Sequence, residues 1–586
     1  MTFSKVFFRM PISSLLFSLL AGNNQLPQGF LDIISSLVTC SAFFILYAEI
    51  HYRFKFTPSW LFQRQPEIIA DAPHRLPPNT PVPILIFLKD AHLFSCELVE
   101  VTVEAQLVKP LQPKDERAPL PTLTFQLLKS REAVNKPWWW RILYVKLPDD
   151  WLGWAQINVV IDYRVGRKKF RCCNDNYIGV SHAPLHVFLS DASLPSVPNY
   201  YYGDLHCHTN ATSDQVEFGA PLEAMVALAQ AQELSFFAAT DHSYDLDDYP
   251  EDYLRNDPAL RKWHDLQAAI RRLNDTHANF VILSGEEVSC GNARGRNVHF
   301  LILNHPHFIR GSGDSAERWL RTKPDHTIAE VLAMLTPQAL AFAAHPAVLT
   351  PYLESLLLGR GHWDLMDLQH GRLNGVQFWN AGRRYEEEGL QQWRALLLQG
   401  RRMFAIAGSD AHGNFNRFRQ ITLPFMKMIE HHRHLFGSMR TAAYVDGKLQ
   451  LDSLIAALHA GRACLTNGPL IDFSVVTPNG GLARMGDQLK TTGGMIMLNA
   501  VSSAEFGKLA YIKIWRGDLE RREETTLYEE TAFPHAFQHR VQLPLPSDYN
   551  HYYLRAEAIT QRESFTVEQG ASCRALTNPI WIEKQS

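Results

Sequence analysis

The chain has 586 residues, and its 57 Lys and Arg nearly balance its 60 Asp and Glu, for a formal net charge of −3. Without a bulk basic charge, nucleic acid is not expected as its main partner. Hydrophobic residues make up 46% and charged residues 20% of the chain, which is typical of a globular protein of several domains. The 8 cysteines form no CxxC pair, which argues against a thiolate zinc site or a disulfide framework.

The hydrophobic residues at 1–60 predict an N-terminal membrane anchor segment. Two uncharged apolar stretches, 10–21 and 33–48, lie between basic residues such as Lys5 and Arg53. The positive-inside tendency therefore predicts a hairpin with both ends, and the catalytic domain, on the cytoplasmic side of the membrane. Both stretches are shorter than the ~20 residues of an ideal span. A cleaved signal peptide and a hydrophobic helix packed on the soluble body stay open as alternatives.

Alternating apolar and polar residues predict a β-sandwich domain over residues 75–190. At 99–105, the sequence VEVTVEA has an apolar residue at every second position, which is the period of a strand with one buried face. Similar runs follow, separated by charged or proline-containing loops. Alternating runs return after residue 468, so a second, C-terminal β-sandwich domain is predicted over 469–586.

Between residues 200 and 468, apolar strands alternate with helical segments, which is typical of an α/β domain. Pro221 is predicted in the first turn of one helix, and Thr327 with Glu330 predicts a capping box at the start of another. The number of candidate strands indicates a barrel of about seven strands. We therefore predict an α/β fold class, with a TIM-like barrel flanked by two β-sandwich domains.

The polar residues of this region lie where the predicted strands end. They occur in five short motifs: GDLHCH at 203–208, ATDH at 239–242, SGEE at 284–287, AAHP at 343–346 and GSDAH at 408–412. Because the carboxyl ends of barrel strands share one face, these side chains should converge. His and carboxylate ligands without thiolate suit divalent ions such as Zn, Mn or Fe. Each motif alone could be a hydrogen-bonded core residue, but the five in order predict a metal site.

These motifs resemble those of the PHP (polymerase and histidinol phosphatase) domain, and within that family the branch of carbaryl-hydrolase-like metal-dependent hydrolases. The resemblance covers residues 200–470 and extends to TNGP at 466–469 and TNPI at 577–580. It implies a distorted (β/α)7 barrel in which nine ligands hold two to three divalent metal ions.

The resemblance also implies which residues hold each ion. The first ion is assigned to His206, His208, Glu287 and Asp410. Glu287 is expected to bridge to a second ion, which His299 and His345 complete. The third is assigned to Asp214, His242 and His412. Asp214 stands where many members of the family have a histidine, and it leaves a hard oxygen ligand at that position.

Local spacing agrees with the choice of the second ion's ligands. The turn-forming run GNARG at 291–295 predicts a hairpin that brings His299 back beside Glu287. Because successive side chains of a strand face opposite sides, only one of Glu286 and Glu287 can face the site. Glu287 is favoured, and Glu286 is its rival. His305 lies in a loop and is interpreted as a residue outside the ligand set.

Four residues near the motifs are candidates for substrate binding. They are Arg294, Arg296, Asn380 and Arg383. The guanidinium groups of the three arginines could bind a phosphate or carboxylate bidentately. It is equally consistent with the sequence that these arginines are solvent-exposed loop residues without a role in substrate binding.

The sequence therefore predicts a metal-dependent phosphoesterase that hydrolyses a small-molecule ester without a covalent intermediate. His242, His412 and Asp410 are the predicted catalytic residues, because either histidine, unless fully engaged with the third ion, could protonate the leaving group while Asp410 holds the first ion. Two alternatives stay open. One is a carboxyl- or carbamate-ester hydrolase, and the other is a catalytically inert membrane-tethered binding protein that keeps its ligands without turnover.

Overall fold

The computed structural model describes residues 65–585, except 109–120, 177–181, 214–217, 314–320, 351–354, 356–358, 381–382, 417–419, 424–425, 430–433, 534–535, 549 and 563–570. The predicted membrane anchor at 1–60 and the predicted ligand Asp214 lie outside these residues. Among the described residues, no helix has the length and apolar character needed to cross a bilayer.

The first region forms two sheets that share a hydrophobic core. Its strands are β1 (Glu67–Asp71), β2 (Arg75–Leu76), β3 (Val82–Lys89), β4 (Cys96–Leu107), β5 (Leu123–Val134), β6 (Trp138–Val145), β7 (Gly153–Val165), β8 (Lys168–Cys173) and β9 (Leu185–Leu189), with a 3-10 helix at Ala91–Leu93. One sheet has the order β1-β3-β6, and the other has the order β2-β9-β7-β4-β5 with β8 on β7. Ile86, Val103 and Ile161 pack in the shared core. The predicted alternation at 99–105 lies in β4.

The middle region contains most of the helices. Its strands are β10 (Tyr200–His208), β11 (Phe236–Ala239), β12 (Asp248–Tyr249), β13 (Asp252–Asn256), β14 (Val281–Gly291), β15 (Asn297–Leu303), β16 (Leu340–Ala344), β17 (Gly375–Trp379), β18 (Phe404–Ala407), β19 (Ala411–His412), β20 (Gln420–Leu423), β21 (Met426–Ile429), β22 (Arg440–Tyr444) and β23 (Ala463–Thr466). The helices are α1 (Leu222–Ala231), α2 (Ser243–Leu246), α3 (Arg261–Thr276), α4 (Ile328–Met334), α5 (Arg383–Leu398) and α6 (Leu451–His459), with a 3-10 helix at Asp367–Gln369. The capping box predicted at Thr327 and Glu330 is confirmed at the start of α4.

The last region consists of strands. They are β24 (Leu470–Val476), β25 (Leu482–Arg484), β26 (Gln488–Thr491), β27 (Met495–Val501), β28 (Lys508–Asp518), β29 (Glu523–Glu530), β30 (Gln538–Pro544), β31 (His551–Gln561), β32 (Ser572–Thr577) and β33 (Ile580–Lys584). Four of them form a separate sheet in the order β25-β24-β27-β30.

The predicted fold class, an α/β protein with a distorted (β/α)7 TIM-like barrel between two β-sandwich domains, is wrong. The part of the chain that the structure describes contains 33 strands and only six α-helices. Sixteen of the strands form one mixed sheet, whose path is β18-β17-β16-β15-β14-β11-β10-β22-β23-β32-β31-β28-β29, with β19, β26 and β33 beside it. This sheet continues from the middle region into the last one through the pairing of β23 with β32.

The reason for the error is the burial of antiparallel strands on both faces. β15 pairs antiparallel with β14 and with β16, and all but one of its residues are buried. A strand covered on both faces loses the alternation of apolar and polar residues that identifies antiparallel pairing. Its sequence therefore resembles that of a strand from a parallel sheet. The domain boundaries at 190, 200 and 468 stay predictions.

Strand direction decides where the site lies. β10, β11 and β14 pair in parallel, and β16, β17 and β18 do the same. Because β15 is antiparallel to both β14 and β16, all six of these strands run in one direction. Their carboxyl ends lie at one edge of the sheet, and the histidines and carboxylates of the five sequence motifs are found there.

Candidate metal centre

Eight of the nine residues that the resemblance implied as ligands meet at this edge, and the ninth, Asp214, lies outside the described residues. They are His206 and His208 at the end of β10, His242 after β11, Glu287 in β14, His299 in β15, His345 after β16, Asp410 before β19 and His412 in β19. They come from six segments that span more than 200 residues of the chain.

The first group joins the two histidines of β10 to two carboxylates. Ligand atoms of His206, His208, Glu287 and Asp410 all lie within 4.8 Å of one another. Nε2 of His206 is 3.2 Å from Asp410 Oδ1 and 3.3 Å from Glu287 Oε2. Nε2 of His208 is 3.2 Å and 3.4 Å from the same two oxygens. Both imidazoles therefore face one point between the carboxylates.

Glu287 lies at the centre of the cluster, and its side chain is fully buried. Its Oε1 is 2.8 Å from Nδ1 of His299 and 3.2 Å from Nε2 of His345, while its Oε2 is 3.1 Å from Nδ1 of His242. Burial alone would raise the pKa of Glu287, but the neighbouring His299, His206 and His242 hold this pKa well below its usual range. With the two histidines of the first group, one carboxylate thus contacts five histidines.

Another group, at the position assigned to the third ion, consists of three imidazoles. Ligand nitrogens of His208, His242 and His412 lie within 4.8 Å of one another. The rings of His208 and His412 are stacked, with centroids 4.1 Å apart and planes 5° apart. Burial, together with the nearby His208, lowers the pKa of His242 to about 4. His242 is therefore a neutral imidazole at neutral pH, which is the form that binds a cation.

Glu286, the rival of Glu287, faces away from this cluster. Its Oε1 accepts a hydrogen bond from Trp263 Nε1 at 3.0 Å, and its Oε2 accepts one from Ile309 N at 3.2 Å. Burial raises the pKa of Glu286 to about 8. The alternation of side chains along β14 thus separates the two neighbouring carboxyl groups.

The residues present fit a divalent metal centre. His206 Nε2 and Glu287 Oε2 are buried and make no hydrogen bond, although they lie 3.3 Å apart. Ligand atoms about 2.1 Å from one ion stand roughly 3.0 to 3.4 Å from each other, which is the spacing found here. Imidazole nitrogens with carboxylate oxygens are the donor set of Zn, Mn and Fe. The histidine and carboxylate clusters could therefore bind metal ions.

Two of the predicted ligand residues have an unusual backbone conformation. His345 has φ 31° and Asp410 has φ 56°, in the left-handed region that residues other than glycine rarely adopt. Such a residue costs about 1 to 3 kcal/mol and persists only where neighbours hold it. Asp410 N donates to His206 O at 2.7 Å, and His345 N donates to Gln377 Oε1 at 3.0 Å. Strain of this kind is concentrated at functional sites.

Buried polar residues that the sequence reasoning missed hold the ligand-bearing loops. Asp204 Oδ1 accepts hydrogen bonds from the backbone N–H groups of His206 and Ser409. Asp241 Oδ1 accepts one from the N–H of Thr212, at 2.9 Å. An aspartate in or just after an apolar strand, one or two positions before a predicted ligand, is the signal that could have identified both residues.

Of the predicted substrate-binding residues whose side chains the structure describes, Asn380 contacts the histidine and carboxylate cluster, whereas Arg294 and Arg296 do not. The Arg294 side chain is 68% exposed and pairs with Asp364 at 2.9 Å, and Arg296 donates to Ser355 O at 2.6 Å. Within the described residues, neither arginine contacts the ligand cluster. Asn380 is buried, and its Nδ2 donates to Asp410 Oδ2 at 3.2 Å. Arg383 begins α5, and its side chain is not among those described.

Comparison with known proteins does not show a family, because no family model and no curated protein matches the sequence. Among solved structures, a glycosyl hydrolase family 2 member from Bacteroides cellulosilyticus is 9% identical, with TM-score 0.16, over 89% of this chain and 63% of its own. A Parabacteroides merdae β-glucuronidase is 8% identical, with TM-score 0.17, over 89% and 64%. A putative β-galactosidase from Bacteroides fragilis is 8% identical, with TM-score 0.16, over 89% and 74%.

The chain thus spans less than two thirds of the length of the first two of these proteins. TM-scores this low carry no argument about fold or activity. The residues of the site are therefore the basis for a functional proposal.

Proposed function

We propose that the protein is a metal-dependent hydrolase of ester bonds, with a di- or trinuclear centre of the PHP type, and that phosphate esters are its substrates. The observation that carries this proposal is the position of Glu287, which contacts His206, His242, His299 and His345 through its two oxygens. A carboxylate between several imidazoles is the arrangement that holds neighbouring cations close together.

The charge of the ligand set favours an anionic substrate. The eight described residues of the predicted ligand set are six histidines, whose rings carry no charge when they bind an ion, and two carboxylates, Glu287 and Asp410. The positive charge of two divalent ions would exceed the negative charge of these two carboxylates by about two, and that of three ions would exceed it by about four. Such a centre suits a phosphate monoester or diester even without arginine contacts.

Protein groups around the centre have distinct tasks in this proposal. Divalent ions, when bound, supply Lewis-acid polarisation of the ester and offset the negative charge of the transition state. Asn380 binds Asp410 Oδ2, so that Oδ1 stays directed at His206 and His208. His242 or His412 would protonate the leaving alkoxide only where it is not engaged with the third ion, because an ion-bound neutral imidazole is too weak an acid for this step. The ring of Tyr244 stacks on His242 at 4.7 Å and limits its movement.

A carboxyl or carbamate ester is the second candidate substrate. The observation that favours it is the placement of Arg294 and Arg296, which bind Asp364 and Ser355 rather than facing the cluster. A neutral ester needs no guanidinium contact, whereas many phosphate sites have one.

Membrane attachment is part of the same proposal. The support for it is the uncharged stretch at 33–48 and the basic residues on both sides of the hydrophobic segment. We place the metal centre on the cytoplasmic side, because positive residues flank both ends of the segment.

The test combines metal analysis with a substrate panel on the full chain. We expect two to three equivalents of Mn or Zn after reconstitution, and turnover of chromogenic phosphate monoesters or diesters above that of carboxyl esters. Less than one equivalent of transition metal would refute the metal centre. Faster turnover of the carboxyl ester would replace the first substrate class by the second.

A further inference from the structure

We infer that Gln377 is a positioning residue of the metal centre, which sets the tautomer of His206 and holds the backbone of His345. This inference rests on the metal centre of the proposed function but not on the identity of the substrate. Gln377 lies in β17, inside the apolar sequence GVQFW, and it is fully buried.

The side-chain amide of Gln377 joins three segments that bear ligands. Its Nε2 donates to Gly408 O at 3.0 Å, in the turn that precedes Asp410. Its Oε1 accepts from His345 N at 3.0 Å and lies 3.4 Å from His206 Nδ1. A single side chain therefore links the end of β10 to the turns that follow β16 and β18.

The orientation of this amide follows from the backbone groups that it meets. A carbonyl oxygen can only accept, so the atom facing Gly408 O must be the NH2 group of Gln377. A backbone N–H can only donate, so the atom facing His345 N must be the oxygen. Two independent partners thus determine the same orientation, and the amide cannot be flipped without losing both hydrogen bonds.

The tautomer of His206 follows from this orientation. The oxygen of Gln377 offers no proton, so Nδ1 of His206 must carry the hydrogen for the 3.4 Å contact to be a hydrogen bond. In the neutral ring, Nε2 then has the free lone pair. Nε2 is the atom directed at Asp410 Oδ1 and Glu287 Oε2, at 3.2 Å and 3.3 Å. Gln377 thus presents the ligand atom of His206 to the first group.

The second effect of Gln377 concerns the backbone of His345. The φ angle of His345 is 31°, which is unfavourable for a residue with a Cβ. The hydrogen bond from His345 N to Gln377 Oε1 holds this conformation, which places Nε2 of His345 3.2 Å from Glu287 Oε1. Loss of this acceptor would release His345 toward an ordinary φ and away from Glu287.

Three variants of the full chain test this assignment by metal titration calorimetry with Mn and with Zn. Q377L removes both the acceptor and the donor. Q377E keeps an oxygen for His206 and His345 but cannot donate to Gly408 O. Q232L is the matched control, because Gln232 is also buried in the middle region and, among the described residues, its amide donates to Leu228 O alone, in its own helix turn.

We expect Q377L to bind the metal about 10- to 100-fold more weakly, as is usual when a residue that orients a ligand is lost. Q377E should recover most of this affinity, and Q232L should match the wild type. Wild-type affinity in Q377L would overturn the assignment. Equal losses in Q377L and Q377E would also overturn it, because they would show that the oxygen facing His206 and His345 does not support metal binding.

A measurement on the unaltered protein covers the case in which Q377L does not fold. In the Zn-loaded wild type with nitrogen-15 labelled histidine, His206 should carry its proton on Nδ1 and bind Zn through Nε2. The His206 signal is assigned by its loss in His206→Ala. A Zn-bound Nδ1 would overturn the inference. If the metal affinities and the His206 tautomer are as expected but no ester is hydrolysed, the proposed substrates are refuted and the role of Gln377 is not affected.

Discussion

Glu524 of β29 and Arg555 of β31 form a buried bidentate ion pair. Both nitrogen to oxygen distances are 2.7 Å, and the two side chains are 0% and 1% exposed. Arg394 of α5 reaches the same carboxylate at 2.6 Å. The helix that follows Asn380 is thereby tied to the sheet of the C-terminal region, and this ion pair connects the site edge to strands that carry no ligand.

Replacement of Glu524 by Gln should destabilise the protein by about 3 to 5 kcal/mol at pH 7, because it leaves the Arg555 charge buried without a partner. Burial alone would raise the pKa of Glu524, but Arg555 and Arg394 outweigh burial and lower it. The stabilisation is therefore fully present above the unfolded value of 4.5 and is lost as the pH falls through the lower folded value.

Denaturant unfolding at pH 7 and at stepwise lower pH measures this effect. The difference between wild type and Glu524→Gln should shrink as the pH falls below 4.5. Glu529→Gln on the same strand is the control, since Glu529 is 45% exposed and pairs with Lys513 near the surface. That variant should lose at most about 1 kcal/mol.

Hydrolysis should depend on Glu287 rather than on Glu286. Glu287→Gln removes the charge that faces the histidines, so turnover should fall by orders of magnitude and metal should be lost on dialysis. Glu286→Gln should keep most of the activity, because Glu286 binds Trp263 and Ile309 instead of the cluster. Steady-state rates and metal content of the two variants decide between them, and the reverse result would show that Glu286 is the ligand.

Asp410→Asn should weaken binding of the first ion most clearly. The amide cannot supply the negative charge that faces both His206 and His208, each 3.2 Å from Asp410 Oδ1. Calorimetric titration should show one weakened site among the two or three, whereas Arg294→Gln, a change at an exposed residue, should leave all of them unaltered. Unchanged binding in Asp410→Asn would remove Asp410 from the ligand set.

Asp71 should support the third metal position from the N-terminal sheet. Its carboxylate accepts hydrogen bonds from Phe415 N at 3.0 Å and Asn416 N at 3.1 Å, in the loop directly after His412. Asp71→Ala would leave two buried N–H groups without this acceptor, at a cost of about 1 to 3 kcal/mol each. We expect lower stability and selective loss of the third ion, measured as metal equivalents per chain.

The control for Asp71→Ala is Asp162→Ala in β7. Asp162 pairs with Arg171, whose side chain is 70% exposed, and lies in the same N-terminal region. Metal content should stay at the wild-type value in this control. An equal loss of metal in both variants would indicate general unfolding of the N-terminal region instead of a contact with the loop after His412.

Deletion of residues 1–55 should give a soluble, folded and metal-loaded protein if the hydrophobic segment is an anchor. The first described strand, β1, begins only at Glu67, so the deletion leaves every strand that the structure describes intact. Cell fractionation of the full chain and of the shortened one checks this. Full-length protein in the soluble fraction would reject the anchor.

The sequence by itself determined the local features of this protein. The alternation at 99–105 predicted a strand that lies within β4, and Thr327 with Glu330 predicted the capping box of α4. The strand-end motifs also identified side chains that now lie together, such as those of His206 and Asp410. These features were predictable because the period of a strand, a helix cap and the end of an apolar run depend on a few neighbouring residues.

Only the tertiary structure decided the sheet and the surroundings of the site. β15 pairs antiparallel with β16, and β23 pairs with β32. The apolar sequences of these strands do not indicate which strand each of them pairs with. The contact of Gln377 with His206 joins residues 171 positions apart. Such contacts depend on which strands become neighbours, and burial on both faces removes the alternation that would have indicated it.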